Sequence, residues 1–182
     1  MKRYLSHSIS IRYDPKQDRL QCICHQKSEQ KLSVWISRRM LLKVLPKTVQ
    51  WLEKQSDNRP GSVTAKVKTQ AEKRSIVAFE HEVAQYEAST VQQTISINIP
   101  FEEDFLLYSV TLSAHEKNQV VLIFEDEDKS TQVVFTLSLT ELHKILGEFF
   151  RLSDAAGWKV NNPWKTEHST QIRVAHSNNR LM

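Results

Sequence analysis

The chain repeats itself, and the repeat limits its fold more than any other feature. Shifted by 101 residues, positions 4–52 fall on positions 105–153 without a gap. Identical pairs include Leu5/Leu106, Ser8/Ser109, Lys16/Lys117, Ser37/Ser138, Leu41/Leu142, Lys43/Lys144 and Leu45/Leu146. Apolar character is kept at Ile9/Val110, Ile11/Leu112, Leu20/Val121, Ile23/Phe124, Val34/Phe135 and Ile36/Leu137. Self-similarity at a fixed offset marks a duplicated structural unit. With 182 residues, the chain has room for one domain or two small ones.

Each unit reads as three strands and a helix. In the first, residues 8–11 alternate polar and apolar, as a half-buried strand does. Residues 20–24 and 32–36 supply the next two strands, separated by polar turns at 14–18 and 26–30. The second unit repeats the pattern at 107–112, 120–124 and 132–137. Short polar turns between consecutive strands predict an antiparallel meander. Each helix begins at a serine. Ser138-Leu-Thr-Glu141 has the spacing of a capping box, and Ser37 is an N-cap without the returning carboxylate. Leu41, Leu45 and Leu52 make the core stripe of the first helix; Leu142, Leu146 and Phe149 make that of the second. Pro46 falls on the first helix's outer side, where it either bends the helix around its core or breaks it in two.

A three-stranded unit leaves edges and half a core exposed, so two copies are expected to pack as one pseudo-twofold body. The predicted class is α+β: an internally duplicated three-stranded antiparallel meander plus helix, with a connector helix. The expected layout is a basic first unit at 1–55, a connector at 56–100, an acidic second unit at 101–157 and a tail at 158–182. Within the connector, the polar stretch 55–73 reads as mobile. Residues 72–88 carry Ile76, Phe79, Val83 and Tyr86 at helical spacing, and 94–99 alternates like a strand. Gly157 is a plausible helix C-cap, and 171–176 a last short strand. The strands-then-helix repeat resembles in architecture the repeats of PUR and Whirly single-strand nucleic-acid-binding proteins. Those repeats have four strands before the helix, and the likeness carries over no residue and no activity.

Charge divides with the units. Residues 1–75 hold 17 Lys and Arg against 6 Asp and Glu, whereas residues 76–150 hold 3 against 13. Such polarity suits an acidic partner, nucleic acid, self-association or attraction between the two units of one monomer. Only three glycines are present, and neither GxGxxG nor GxxxxGK[ST] occurs, which disfavours a glycine-rich phosphate loop. The apolar charge-free stretch 105–114 is far short of the ~20 residues a spanning helix needs. The basic N-terminus has no apolar signal-peptide core, so a cytoplasmic protein without membrane contact is expected.

Catalytic and metal-binding patterns are weak. Cys22, Cys24 and His25 cannot all point to one ion from neighbouring strand positions, so the two cysteines read as reduced core thiols. His81-Glu-Val-Ala-Gln85 lacks the second histidine of a zincin, leaving an ordinary polar helix face. The run 125–128, Glu-Asp-Glu-Asp, has no EF-hand spacing and reads as a solvated hairpin tip. No GxSxG elbow frames a nucleophile. No catalytic residue, metal or cofactor is assigned, and the chain reads as a non-enzyme.

The strongest interaction feature is a stripe on the first helix. Arg39, Lys43 and Lys47 recur at i, i+4 and i+8, with Lys54 on the same side and Arg38 at the helix start. Lys66, Lys68, Lys73 and Arg74 are candidates to extend it. Two functions follow as expectations. The first is an adaptor or assembly factor with a protein partner or self-association through charged faces and sheet edges. The alternative is a module for single- or double-stranded nucleic acid, although Trp35 and Trp51, the candidate stacking residues, are phased at least partly toward the core.

Overall fold

Alternating apolar residues give seven strands, and two leucine-rich stripes give the helices that cover them. The computed structural model describes residues 1–28, 30–56, 68–88, 100–115 and 118–165. In chain order these form β1 (Lys2–Asp14), β2 (Arg19–Gln26), β3 (Lys31–Ser37), α1 (Arg38–Gln55), α2 (Gln70–Ala88), β4 (Phe101–Leu106), β5 (Ser109–His115), β6 (Gln119–Glu125), β7 (Thr131–Ser138) and α3 (Leu139–Ala155). The fold is α+β, with one seven-stranded mixed sheet in the order β4-β3-β2-β1-β7-β6-β5.

The meanders β1-β2-β3 and β5-β6-β7 pair antiparallel, as the polar turns predict. Two further pairings join the meanders into one mixed sheet. Residues 2–6 of β1 pair in parallel with β7, and β4 pairs in parallel with β3. Parallel partners distant in sequence have no connecting hairpin, so no local turn announces them.

β1 spans both partnerships because it carries a bulge. Its register shifts between Ser6 and Ser8, where its pairing passes from β7 to β2. One extra residue reverses which side chains face inward. Tyr4 packs against the core before the bulge, and Ile9, Ile11 and Tyr13 do so after it. The junction of β4 and β5 shows the same change of parity. Phe105 and Leu107 pack inward before it, and Val110 and Leu112 after it.

That junction also sets the curvature. β4 and β5 lie at opposite edges of the sheet, yet only Leu107 and Tyr108 separate them. Three successive Cα–Cα steps reach at most about 11 Å. Seven flat strands would hold the edges roughly 29 Å apart. The sheet therefore curls until its edges meet. Leu107 N–H donates to Trp35 O of β3 (2.8 Å), and Tyr108 N–H donates to Glu125 O of β6 (2.9 Å).

The inner face joins Leu20, Cys22, Leu32, Val34, Val120, Phe124, Val133 and Phe135 to Leu41, Leu45, Leu142 and Leu146 of the helices. Leu45 and Leu146 are both buried. Ser37 Oγ accepts the Met40 N–H (3.2 Å) at the start of α1. Ser138 and Glu141 form the full capping box of α3. α1 runs unbroken through Pro46, whose ring faces solvent, so the two-piece alternative is set aside. Gly157 follows α3 with φ +70°, a backbone glycine adopts without strain. Beyond it, buried Trp158 donates its indole N–H to Asp18 Oδ1 (2.7 Å) and packs edge-on against Tyr13.

α2 occupies the stretch where the sequence places an amphipathic helix, but its phase is reversed. Val77, His81 and Ala84 are buried, whereas Phe79, Val83 and Tyr86 are exposed. The docking stripe is made of small and polar side chains because α2 lies close against α3. A Cβ at Gly147 of α3 would collide with the Gln85 amide of α2, which instead donates to His143 O (2.9 Å). The expected strands at 94–99 and 171–176, and most of the stretch read as mobile, lie outside the described residues.

Candidate functional site: the outer face of α1

α1 buries Leu41, Leu45, Thr48, Val49 and Leu52. At 100° per residue, Arg39, Lys43, Lys47 and Lys54 must then project away from the sheet. All four are exposed, as is Arg38 at the first turn. Among the described residues, none of the five forms an ion pair with a carboxylate. The first turn of α1 also carries no acidic residue. The result is a row of solvated cations about one helical turn apart.

Its surroundings are less basic than the sequence suggests. Lys68 Nζ donates to Ser56 O (2.6 Å), and Arg74 pairs with Glu53 (3.5 Å), so both tie α2 to α1. Lys66 lies outside the described residues. The matching face of α3 is occupied differently. Arg151 pairs with Glu148 on its own helix, and Lys144 pairs with Glu87 of α2. Among the described residues, Lys144 and Arg151 of α3 are thus both ion-paired, whereas the cations on the outer face of α1 form no ion pair.

The tryptophans separate. Trp51 packs at the margin of the core, but Trp35 lies on the opposite sheet face, which corrects its inward phasing. Its indole N–H donates to Asp104 Oδ1 (2.6 Å) across the β3–β4 pair, beside a polar row in which Arg12 donates to Gln21 (2.6 Å) and Gln21 to Ser33 (2.7 Å).

The other chemistry-bearing residues serve structure. Cys22 and Cys24 sit fully buried in the core, where burial pushes both thiols up, away from the reactive thiolate. In the acidic turn, Asp126 accepts from Ser130 Oγ (2.6 Å) and Thr131 N–H (3.2 Å), and Glu125 accepts from Ser109 and Gln132. Among the described residues, no three His, Cys, Asp or Glu side chains converge to hold a metal ion. Among them also, no helix is long and apolar enough to cross a membrane.

Two features were not legible as sites. His81 is not on an ordinary polar face. It is buried, stacks on Trp164 with ring centroids 3.9 Å apart, and faces His143 of α3 at 5.6 Å. Burial and the neighbouring imidazole push its pKa down to about 4. The second is a groove of about 570 Å³ between α1, α2 and the segment after α3, lined by Pro46, Val49, Ala78, Phe150 and Trp164. The aromatic wall comes from residues far apart in sequence, so no local pattern marks either feature. No known protein family, curated protein or solved structure matches the chain.

Proposed function

We propose that the chain is a non-catalytic interaction module, an adaptor or assembly factor, that docks on an acidic macromolecule through the outer face of α1. The observation that carries this reading is the row Arg38, Arg39, Lys43, Lys47 and Lys54, all exposed and, among the described residues, none in an ion pair, with Arg38 near enough to Asp18 to help lower its pKa. Long cationic side chains held on a helix anchored by Leu41, Leu45 and Leu52 suit electrostatic capture followed by docking.

The reading includes a duplicated, pseudo-twofold body. In support, Lys2 pairs with Glu103, a residue 101 positions away, which is the offset of the repeat. Equivalent positions touch each other where they lie on a twofold axis. The two changes of strand parity also fall at equivalent positions, after Ser6 and after Leu107.

A phosphate backbone is the second reading, favoured by the absence of acidic residues from the first turn of α1. Both are tested by one salt titration against an acidic polypeptide and against single- and double-stranded oligonucleotides, using the parent and the triple variant R39E/K43E/K47E. Binding to the polypeptide alone, lost in the triple variant, supports the adaptor. Binding to oligonucleotides, with each lost phosphate contact flattening the salt slope by about one, supports the second reading. Equal binding by parent and variant refutes the role of this face.

A further inference from the structure

Among the described residues, α2 presents an exposed apolar stripe. Phe79 is 67% exposed, Val83 41% and Tyr86 79%, at i, i+4 and i+7. The stripe points away from Val77, His81 and Ala84, which face α3. Exposed Glu82 borders it, with Glu72 one face-length earlier. α1, beside it, has the complementary composition: one exposed leucine, Leu42, among Arg39, Lys43 and Lys47.

The two helices lie side by side and run antiparallel. Glu53 near the end of α1 pairs with Arg74 near the start of α2, while Pro46, two turns earlier, shares a groove with Ala78, one turn later. These two anchors bracket the offset between the helices and put Lys47 near the level of Phe79, Lys43 near that of Glu82 and Leu42 near that of Val83.

We propose that a second copy of this chain covers the α2 stripe, with α1 of each copy laid on α2 of the other. The proposal rests on the reading of the α1 face as a docking surface and names its acidic partner. A twofold axis parallel to the two helices, midway between them in the plane of the exposed surface, places α1 of one copy opposite α2 of the other. It does so twice and preserves level. Leu42 then meets Val83 of the second copy, Lys43 meets its Glu82, and the Lys47 stem covers its Phe79. One isologous contact buries both apolar stripes and sets Lys43 of each copy against Glu82 of the other.

Sedimentation over 1–200 µM tests it, using the parent chain and the variants K43E, E82K and F79D. The parent is expected to dimerise, more weakly as salt rises. K43E and E82K each place like charges at both contacts, so each alone is expected to weaken dimerisation at least tenfold. Mixed together, they restore opposite charges at both contacts, and the heterodimer is expected to recover parental affinity. A parent that stays monomeric to 200 µM overturns the proposal, as does a dimer unaffected by F79D. Two monomeric charge variants that fail to recover on mixing overturn it as well. A monomer that still binds the acidic polypeptide in the salt titration would remove the dimer and leave the docking face standing.

Discussion

Acid should loosen the seam between α2 and α3 through one imidazole. His81 is 7% exposed, stacked on Trp164 and 5.6 Å from His143, and its pKa is pushed down to about 4. Unfolded, it titrates near 6.5. A folded-state pKa below the unfolded one means that the unfolded chain takes up the proton more readily. The stability held by neutral His81 is therefore complete above pH 6.5 and drains as pH falls toward 4. A gap of about 2.5 units corresponds to about 3 kcal/mol in full, of which about 2 kcal/mol is lost by pH 5. For a chain of this size that is about 4–8 °C in Tm. The perturbation is His81→Phe, which keeps an aromatic ring for Trp164 and removes the titration. Thermal melts of both proteins at steps from pH 7.5 to 4.5 report His81 together with its coupling to His143, because every other titrating group is common to the pair. The parent should lose about 2 kcal/mol more than the variant between pH 7.5 and pH 5. Parallel pH profiles would refute the assignment of the buried neutral imidazole.

Truncating Leu45 or Leu146 to alanine removes a buried side chain from the shared core and should cost about 2–5 kcal/mol each, read by urea titration. Unchanged midpoints would contradict the helix phases. Gly147→Val pushes the Gln85 amide out of the space it occupies and breaks its hydrogen bond to His143 O; it should cost about 1 kcal/mol in a urea titration while α2 stays docked and Trp164 emission is unchanged.

Much of this architecture can be read from residues 8–52 and 109–153, where period-2 strands meet serine-capped helices. The elements that escaped reading share one physical cause. Residues 2–6 and 101–106 find their partners across the molecule, in parallel, and no turn between them encodes that pairing. The phase of α2 was misjudged because hydrophobic periodicity weights Phe79, Val83 and Tyr86 above the smaller Val77 and Ala84. The contact with α3 selects for closeness, through Gly147, rather than for apolar bulk. Strand phase places Trp35 partly in the core, but Leu32, Val34 and Ile36 take the inward positions of β3, and the Trp35 indole N–H donates to Asp104 on the other side of the sheet. The basic row was legible because an exposed helix face depends only on 3.6-residue geometry and on where the leucines point.

The crossing of β1 and β4 into each other's half of the sheet reaches into the birth of the chain. Lys2 is synthesised well before the strand it must join, which begins at Thr131. At about 5–20 residues per second, that partner follows some 6–26 s later. Until then β3 and the leading part of β1 present unsatisfied edges, and contacts of such sequence separation close slowly. The nascent first half consequently carries strand edges open to wrong pairing until its partner strand arrives. A gene cut between the two halves would yield fragments that need each other to finish their sheets.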